Sequence, residues 1–417
     1  MKSILQNKAL VTLGIAEMVS NIGNWITMLA LWGILIFRGD GSVFQSSAIM
    51  LAGLGPMLIF SPIAGWLSDR FDRKGLMIGS QILGALPVIG LFFVRSEWLI
   101  YALLATQSAV LAVGYPARNA SIPALVKEEQ LTQANAFLQQ LASMMKVAAP
   151  AIAGALVGFV GPYNAMVIDI ASFFVAAAIL LTLPALRPGD SATNAKTEIS
   201  QGKPEGNPLT VLRHSFPLQL LFTTMFIGLV MIMGFDVLGS VFVRDVLAGN
   251  EAFFGIIIGL VGLGQVLSVL WLMTRKSENT LPWRDLALGL FLMTALCLGC
   301  ALAFYSGSTD WARIFVGIGA FVGGMGNGIA TVQVPTLLQM LAPRAMLGRM
   351  GGLLQSTLTA AQLIAILGLP LIIPGTFSMG HFYGVATVGI AALALFVAYT
   401  TRNIPGSGKQ KAETTYV

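Results

Sequence analysis

Long apolar runs separated by short polar turns dominate this chain. Twelve stretches approach or exceed the roughly 20 apolar residues a helix needs to cross a bilayer. They lie at 9–37, 45–66, 75–94, 98–117, 135–160, 164–184, 217–243, 252–273, 286–306, 312–334, 352–373 and 382–400. The runs are continuous rather than alternating, which predicts helices and argues against the strands of a membrane barrel. The longest polar connection, "ALRPGDSATNAKTEISQGKPEGNPLTVLRHSF" (185–216), follows the sixth run. Rich in Gly, Pro, Ser and Thr and mixed in charge, it reads as a flexible linker. The expected fold is an all-α membrane protein with twelve transmembrane helices in two six-helix halves. The halves are 1–184 and 217–400, joined by the cytoplasmic linker 185–216 and followed by a cytoplasmic tail, 401–417. "LTQANAFLQQ" (131–140) and "LGRMGGLLQS" (347–356) share Leu, Leu and Gln in register, each opening the fifth span of its half.

Composition sharpens this reading. Only 10% of the 417 residues are charged and the mean hydropathy is +0.81, whereas soluble domains carry about 25% charged residues. The net charge of +6 does not point to nucleic acid, because the basic residues are scattered in ones and twos between apolar runs. They report topology instead, since cytoplasmic loops are enriched in Lys and Arg. With the N-terminus inside, 19 basic residues fall in cytoplasmic segments and 4 outside (Arg38, Arg95, Arg244 and Arg313); Lys146 lies within a span. Both termini are therefore placed in the cytoplasm. The basic, then apolar, N-terminus resembles a signal peptide, but the run continues to Phe37 without a small-residue cleavage site and reads as a retained first span. Cys297 and Cys300 form a C-x-x-C within an apolar run that offers no further metal ligands, so they read as packing thiols. No metal, cofactor or phosphate-binding loop is expected.

Charge is concentrated in one place, "GWLSDRFDRK" (65–74), between the second and third spans. With the following glycine it resembles the signature of the major facilitator superfamily, Gly-x-Leu-(Ala/Ser)-Asp-Arg-x-Gly-Arg-Lys. Gly65, Leu67, Ser68, Asp69, Arg70, Arg73 and Lys74 match, and Asp72 replaces the usual glycine. The resemblance implies a conformational latch in which Asp69 meets the N-terminus of the eleventh helix, near Gly348, Arg349 and Met350, where the helix dipole favours an anion. "YPARNASIPALVKEEQLTQANAF" (115–137) and "PRAMLGRMGGL" (343–353) resemble the macrolide-efflux and enterobactin-exporter branch. The efflux-type motif of span five departs from Gly-Pro-x-x-Gly-Gly: it reads Ala149-Pro150-Ala151-Ile152-Ala153-Gly154. The arginine that many proton-coupled exporters carry in span four is expected to be missing, because "ATQSAVLAVGY" has no basic residue.

Ionisable groups inside spans are costly and mark functional candidates. Glu17 lies roughly 13 Å into span one at 1.5 Å per residue. Glu17, Asn21, Asn24 and Met28, spaced 4, 3 and 4, share one helical face and read as a cavity stripe. Lys146 shares a face of span five with Gln139 and Ser143. The superfamily's topology puts spans one and five close together, so a Glu17–Lys146 pair is expected. Asp236 in span seven is a candidate for a substrate cation or a proton, while Asp169 in span six is expected to bond Ser172 or a neighbouring helix before any transport role. Gln355, Thr359 and Gln362 form a neutral face of span eleven.

These features, taken with the resemblance, imply a monomeric secondary transporter of a bacterial inner membrane, embedded in the lipid bilayer. Its expected activity is export of a small amphiphilic molecule in exchange for protons, by alternating access. Rival readings are import of a polar solute with a coupling ion, or lipid flipping. A non-transporting sensor would need a soluble signalling domain, which the linker does not resemble. An enzymatic activity is not expected.

Overall fold

A computed structural model describes residues 6–39, 41–127, 130–186, 208–275, 281–343, 346–373 and 378–403. No strand occurs among them. The first group of helices is α1 (Lys8–Trp32, extended by a π-helical turn at Gly33–Phe37), α2 (Val43–Arg70), α3 (Arg73–Leu91), α4 (Glu97–Leu111), α5 (Gly114–Leu125), α6 (Leu131–Val160) and α7 (Pro162–Leu181). A short α8 (Pro208–His214) precedes α9 (Phe216–Asp245), α10 (Glu251–Thr274), α11 (Pro282–Tyr305), α12 (Thr309–Leu341), α13 (Leu347–Ile372) and α14 (Met379–Thr400). Among the described residues, eleven helical segments are long and apolar enough to cross a membrane, with α4 and α5 counting as one. The remaining predicted span, 135–160, falls in α6, whose part Ala148–Val160 is a shorter apolar helix. Twelve spans are consistent with this arrangement.

By packing, the chain divides into two units: residues 1–200 with 249–256, and residues 201–248 with 257–417. The division between 200 and 201 falls in residues outside the described set. In the first unit, Leu10, Leu13, Met77, Ala117, Leu138 and Leu180 form a core from α1, α3, α5, α6 and α7. Asn7 caps α1 by accepting from Leu10 N (3.1 Å), and its amide donates to Leu125 O (2.7 Å), which ties the start of α1 to the end of α5. At Gly161, which joins α6 to α7, φ is +82°, a region closed to most L-residues. Segment 249–256 opens α10 yet packs in this unit. Its Glu251 accepts from Arg38 at 2.7 Å, and Trp32 meets Phe254 edge-on at 5.5 Å.

The second unit builds its core from α9, α11, α12, α13 and α14. Bare backbone brings its helices together: a Cβ on Gly319 of α12 would sit 2.5 Å from Ala295 O of α11. Membrane helices lack a strong hydrophobic force between them and pack through such small residues. The turn from α9 to α10 holds Ala248 at φ +44°. Arg313 donates to Leu247 O and Ala248 O, both at 3.0 Å, and so fixes that turn.

The charged signature differs from the expected loop. Residues 65–70 complete α2, and Asp72 caps α3 by accepting from Gly75 N at 2.7 Å. Lys74 Nζ donates to Leu181 O (2.8 Å) and Leu183 O (2.6 Å), where a cation suits the end of α7. Arg73 donates to Ala120 O at 2.6 Å. Lys74 thus binds a helix end, and Arg73 a carbonyl of α5, within their own unit, in addition to any topological role. Arg70 lies 4.4 Å from the Trp66 ring, while Asp69 is exposed and has no ion pair among the described residues. A Cβ on Gly65 would meet nothing within 4 Å, so no described helix packs against that glycine.

Candidate functional site

The first unit carries a half-open cavity of about 390 Å³ between α1, α2, α3, α4, α5 and α7. Span four positions its principal charge. The sequence pattern closes that span at 117, just before the polar pair Arg118 and Asn119. In the structure the helix breaks at Ala112–Val113, then resumes as α5 to Leu125. Pro116 explains the break, since it lacks the N–H that would bond Ala112 O and its ring crowds that carbonyl. Arg118 therefore sits on a membrane-spanning helix and lines the cavity.

Glu17 is its partner. Arg118 Nη1 donates to Glu17 Oε1, and the two side chains are 15% and 27% exposed. The acid on span one is thus engaged from span four, a partner the sequence did not suggest; the expected Glu17–Lys146 pairing falls on a side chain outside the described residues. The side chains of Lys146, Gln139 and Ser143 lie outside the described residues. Arg118 has further support, because its Nε and Nη2 donate to Asn119 Oδ1 at 3.2 and 2.8 Å and its guanidinium lies 5.0 Å from the Tyr115 ring.

Asn21, Asn24 and Met28 line the same cavity as Glu17. Four lining oxygens have no hydrogen-bond partner among the described residues: Glu17 Oε2, Asn21 Oδ1, Asn24 Oδ1 and Gln107 Oε1. Unmatched acceptors are costly in a low-dielectric site, so their natural complement is a ligand bearing N–H or O–H groups. Trp25, Met28, Met57 and Leu104 supply apolar walls, and thioethers adapt to varied shapes. Ser20 donates to Gln81 Oε1 at 3.1 Å and holds α1 against α3. Sequence reasoning missed Arg118, Gln81 and Gln107. The signal for Gln107 was present, as it is a polar residue within an apolar run; Arg118 was concealed by the proline before it.

The other described candidates are not among the residues lining this cavity. Asp169 of α7 is fully buried and accepts from Thr27 Oγ1 of α1 and Ser172 Oγ (3.2 Å). Gly23 makes that contact possible, because a Cβ there would collide with Ser172 Oγ and Asp169 Oδ1. In the second unit, Asp236 is exposed on α9. Gln355 is exposed and Thr359 and Gln362 are half-buried on α13, whose early residue Arg349 is exposed. Cys297 and Cys300 are free thiols buried in α11.

Comparison with known proteins places this geometry in context. The family described as Major Facilitator Superfamily matches residues 13–366. An uncharacterized MFS-type transporter, YfiS of Bacillus subtilis, is 28% identical over 380 residues, 88% of this chain and 87% of the relative. Macrolide efflux protein A of Streptococcus pyogenes is 30% identical over 223 residues, about half of each protein (52% and 53%). A crystal structure of the peptide transporter POT superposes with a TM-score of 0.70 over 96% of this chain and 95% of that one, at 14% identity. That likeness concerns the fold.

Proposed function

Because the chain belongs to the major facilitator superfamily and is thus a membrane transporter, we propose that it exports a small amphiphilic compound in exchange for protons, by alternating access. The observation that carries this reading is the Glu17–Arg118 pair set in a largely apolar cavity with unmatched acceptors. The similarity to a macrolide efflux protein supports the outward direction and an amphiphilic cargo.

In the proposed cycle, the apolar body of the substrate lies against Trp25, Met28 and Met57, and its donor groups bond Asn21, Asn24 and Gln107. A proton arriving at Glu17 neutralises the carboxylate and releases Arg118 from the ion pair. Loss of that proton on the other side of the membrane restores the pair. Exchange requires in addition that occupancy of the cavity by substrate and protonation of Glu17 exclude one another, which the shared cavity places within reach because Glu17 and Arg118 line it beside Asn21 and Asn24.

Everted membrane vesicles test this. With an imposed proton gradient they should accumulate an amphiphilic macrolide and release protons as substrate is added. Glu17→Gln should abolish gradient-driven accumulation while keeping downhill exchange. Unchanged proton coupling in that variant would remove Glu17 from the mechanism, and Asp236 would become the next acid to test. Accumulation only in right-side-out vesicles would replace export by import.

A further inference from the structure

A second recess lies wholly within the other unit, where the start of α11 meets the ends of α12 and α14. Its volume is about 820 Å³. The walls are apolar and open outwards: Leu288, Phe291 and Leu395 are exposed large side chains. Its polar rim includes two guanidinium groups, Arg284 and Arg402, both exposed and without an ion pair among the described residues. Asp285, adjacent in sequence to Arg284, does not neutralise it. That carboxylate accepts from Arg275 at 2.8 Å and from Gln333 at 3.3 Å, and it points into the protein. Trp283 shares the rim, and tryptophan favours the level of lipid headgroups.

We propose that this groove binds one anionic phospholipid, its headgroup phosphate held by Arg284 and Arg402 and an acyl chain lying along Leu288, Phe291 and Leu395. Guanidinium groups present fixed forks of donors that match phosphate oxygens, and their charge favours an anionic over a zwitterionic headgroup. The lysine and arginine counts put this end of the helices at the cytoplasmic leaflet, where basic rims recruit anionic lipid. Other occupants fit less well. A second copy of this surface would bring arginine against arginine. The tail beyond residue 403 carries Lys409 and Lys411 against Glu413, so it offers no negative charge to spare. The proposal requires only that the helices span a bilayer and is independent of what the transporter carries or in which direction.

The test uses the full-length protein, purified, delipidated and reloaded with equal amounts of phosphatidylglycerol and phosphatidylcholine of identical acyl chains. Native mass spectrometry reads the retained lipid. At about 1 kcal/mol per basic residue near the surface, two arginines should enrich phosphatidylglycerol about 30-fold. Arg284→Gln with Arg402→Gln should bring the ratio to parity, and Arg284→Lys with Arg402→Lys should keep most of the preference. Ala398→Trp, which fills the groove without altering charge, should reduce retention of both lipids. Equal retention by the wild type would overturn the proposal, as would a preference that survives loss of both arginines. Truncation after Asn403 should leave lipid binding unchanged; a marked rise would make the tail the occupant instead. Because the readout is lipid retention, failure here leaves the export reading untouched.

Discussion

Glu17 and Arg118 form one ion pair, yet removing either partner should have unequal consequences. When Glu17 becomes Gln, Arg118 still donates twice to Asn119 and keeps the Tyr115 ring beneath it. The loss is one charge-assisted hydrogen bond, in part replaced by the new amide, or about 1 kcal/mol. When Arg118 becomes Gln, the carboxylate of Glu17 loses the partner of Oε1 while Oε2 already has none among the described residues. Breaking a fully buried pair costs about 3–5 kcal/mol. This pair retains some exposure, so the lower end, about 3 kcal/mol, is expected. The double variant should recover part of that loss, because no uncompensated charge remains, giving a coupling energy of about 1–2 kcal/mol. Unfolding of the purified protein in mixed detergent micelles with increasing sodium dodecyl sulfate measures all three. The reasoning is refuted if Glu17→Gln proves the more damaging single change, or if the two effects simply add.

Three further outcomes are expected. Ala248→Gly should stabilise the protein by about 1 kcal/mol in the same unfolding assay, because it relieves a left-handed backbone while Arg313 still bonds the turn; a destabilised variant would contradict the strain. Asp69→Asn should insert normally but slow transport and shift the balance between inward- and outward-open states, as read by site-directed spin-label distances. Wild-type rates with an unshifted balance would reduce the signature to its helix-capping and topological parts. A single cysteine replacing the exposed Ser96 should react with an impermeant thiol reagent in intact cells, and one replacing Ser191 should resist it; labelling at 191 would invert the assigned orientation.

Helix positions were legible because a bilayer demands long uninterrupted apolar runs, and that constraint leaves few alternative readings of the sequence. The cavity stripe on α1 was visible for a related reason: three polar residues at helical spacing in an apolar run stand out. What stayed hidden depends on contacts between segments far apart in the chain. Arg118 looked like a loop residue because polarity and Pro116 end a span in the usual reading, while the helix in fact resumes beyond its break. Lys74 looked like a topology signal because its acceptors, the carbonyls of residues 181 and 183, lie over a hundred positions away. The contacts of segment 249–256 with Arg38 and Trp32 were equally hidden, because their partners lie over two hundred positions earlier in the chain.

The bond from Thr27 to Asp169 has a consequence for how the transporter can diversify. A helix advances 100° per residue, so the Gly23–Thr27 edge of α1 lies about a third of a turn from the stripe of Glu17, Asn21, Asn24 and Met28. The buried carboxylate, seated where a side chain at position 23 would stand, sets the rotational phase of α1 independently of what the stripe contains. If the stripe holds the cargo as proposed, substitutions at 21, 24 and 28 alter which molecules fit without turning the helix, and cargo preference drifts while the aim of Glu17 is kept.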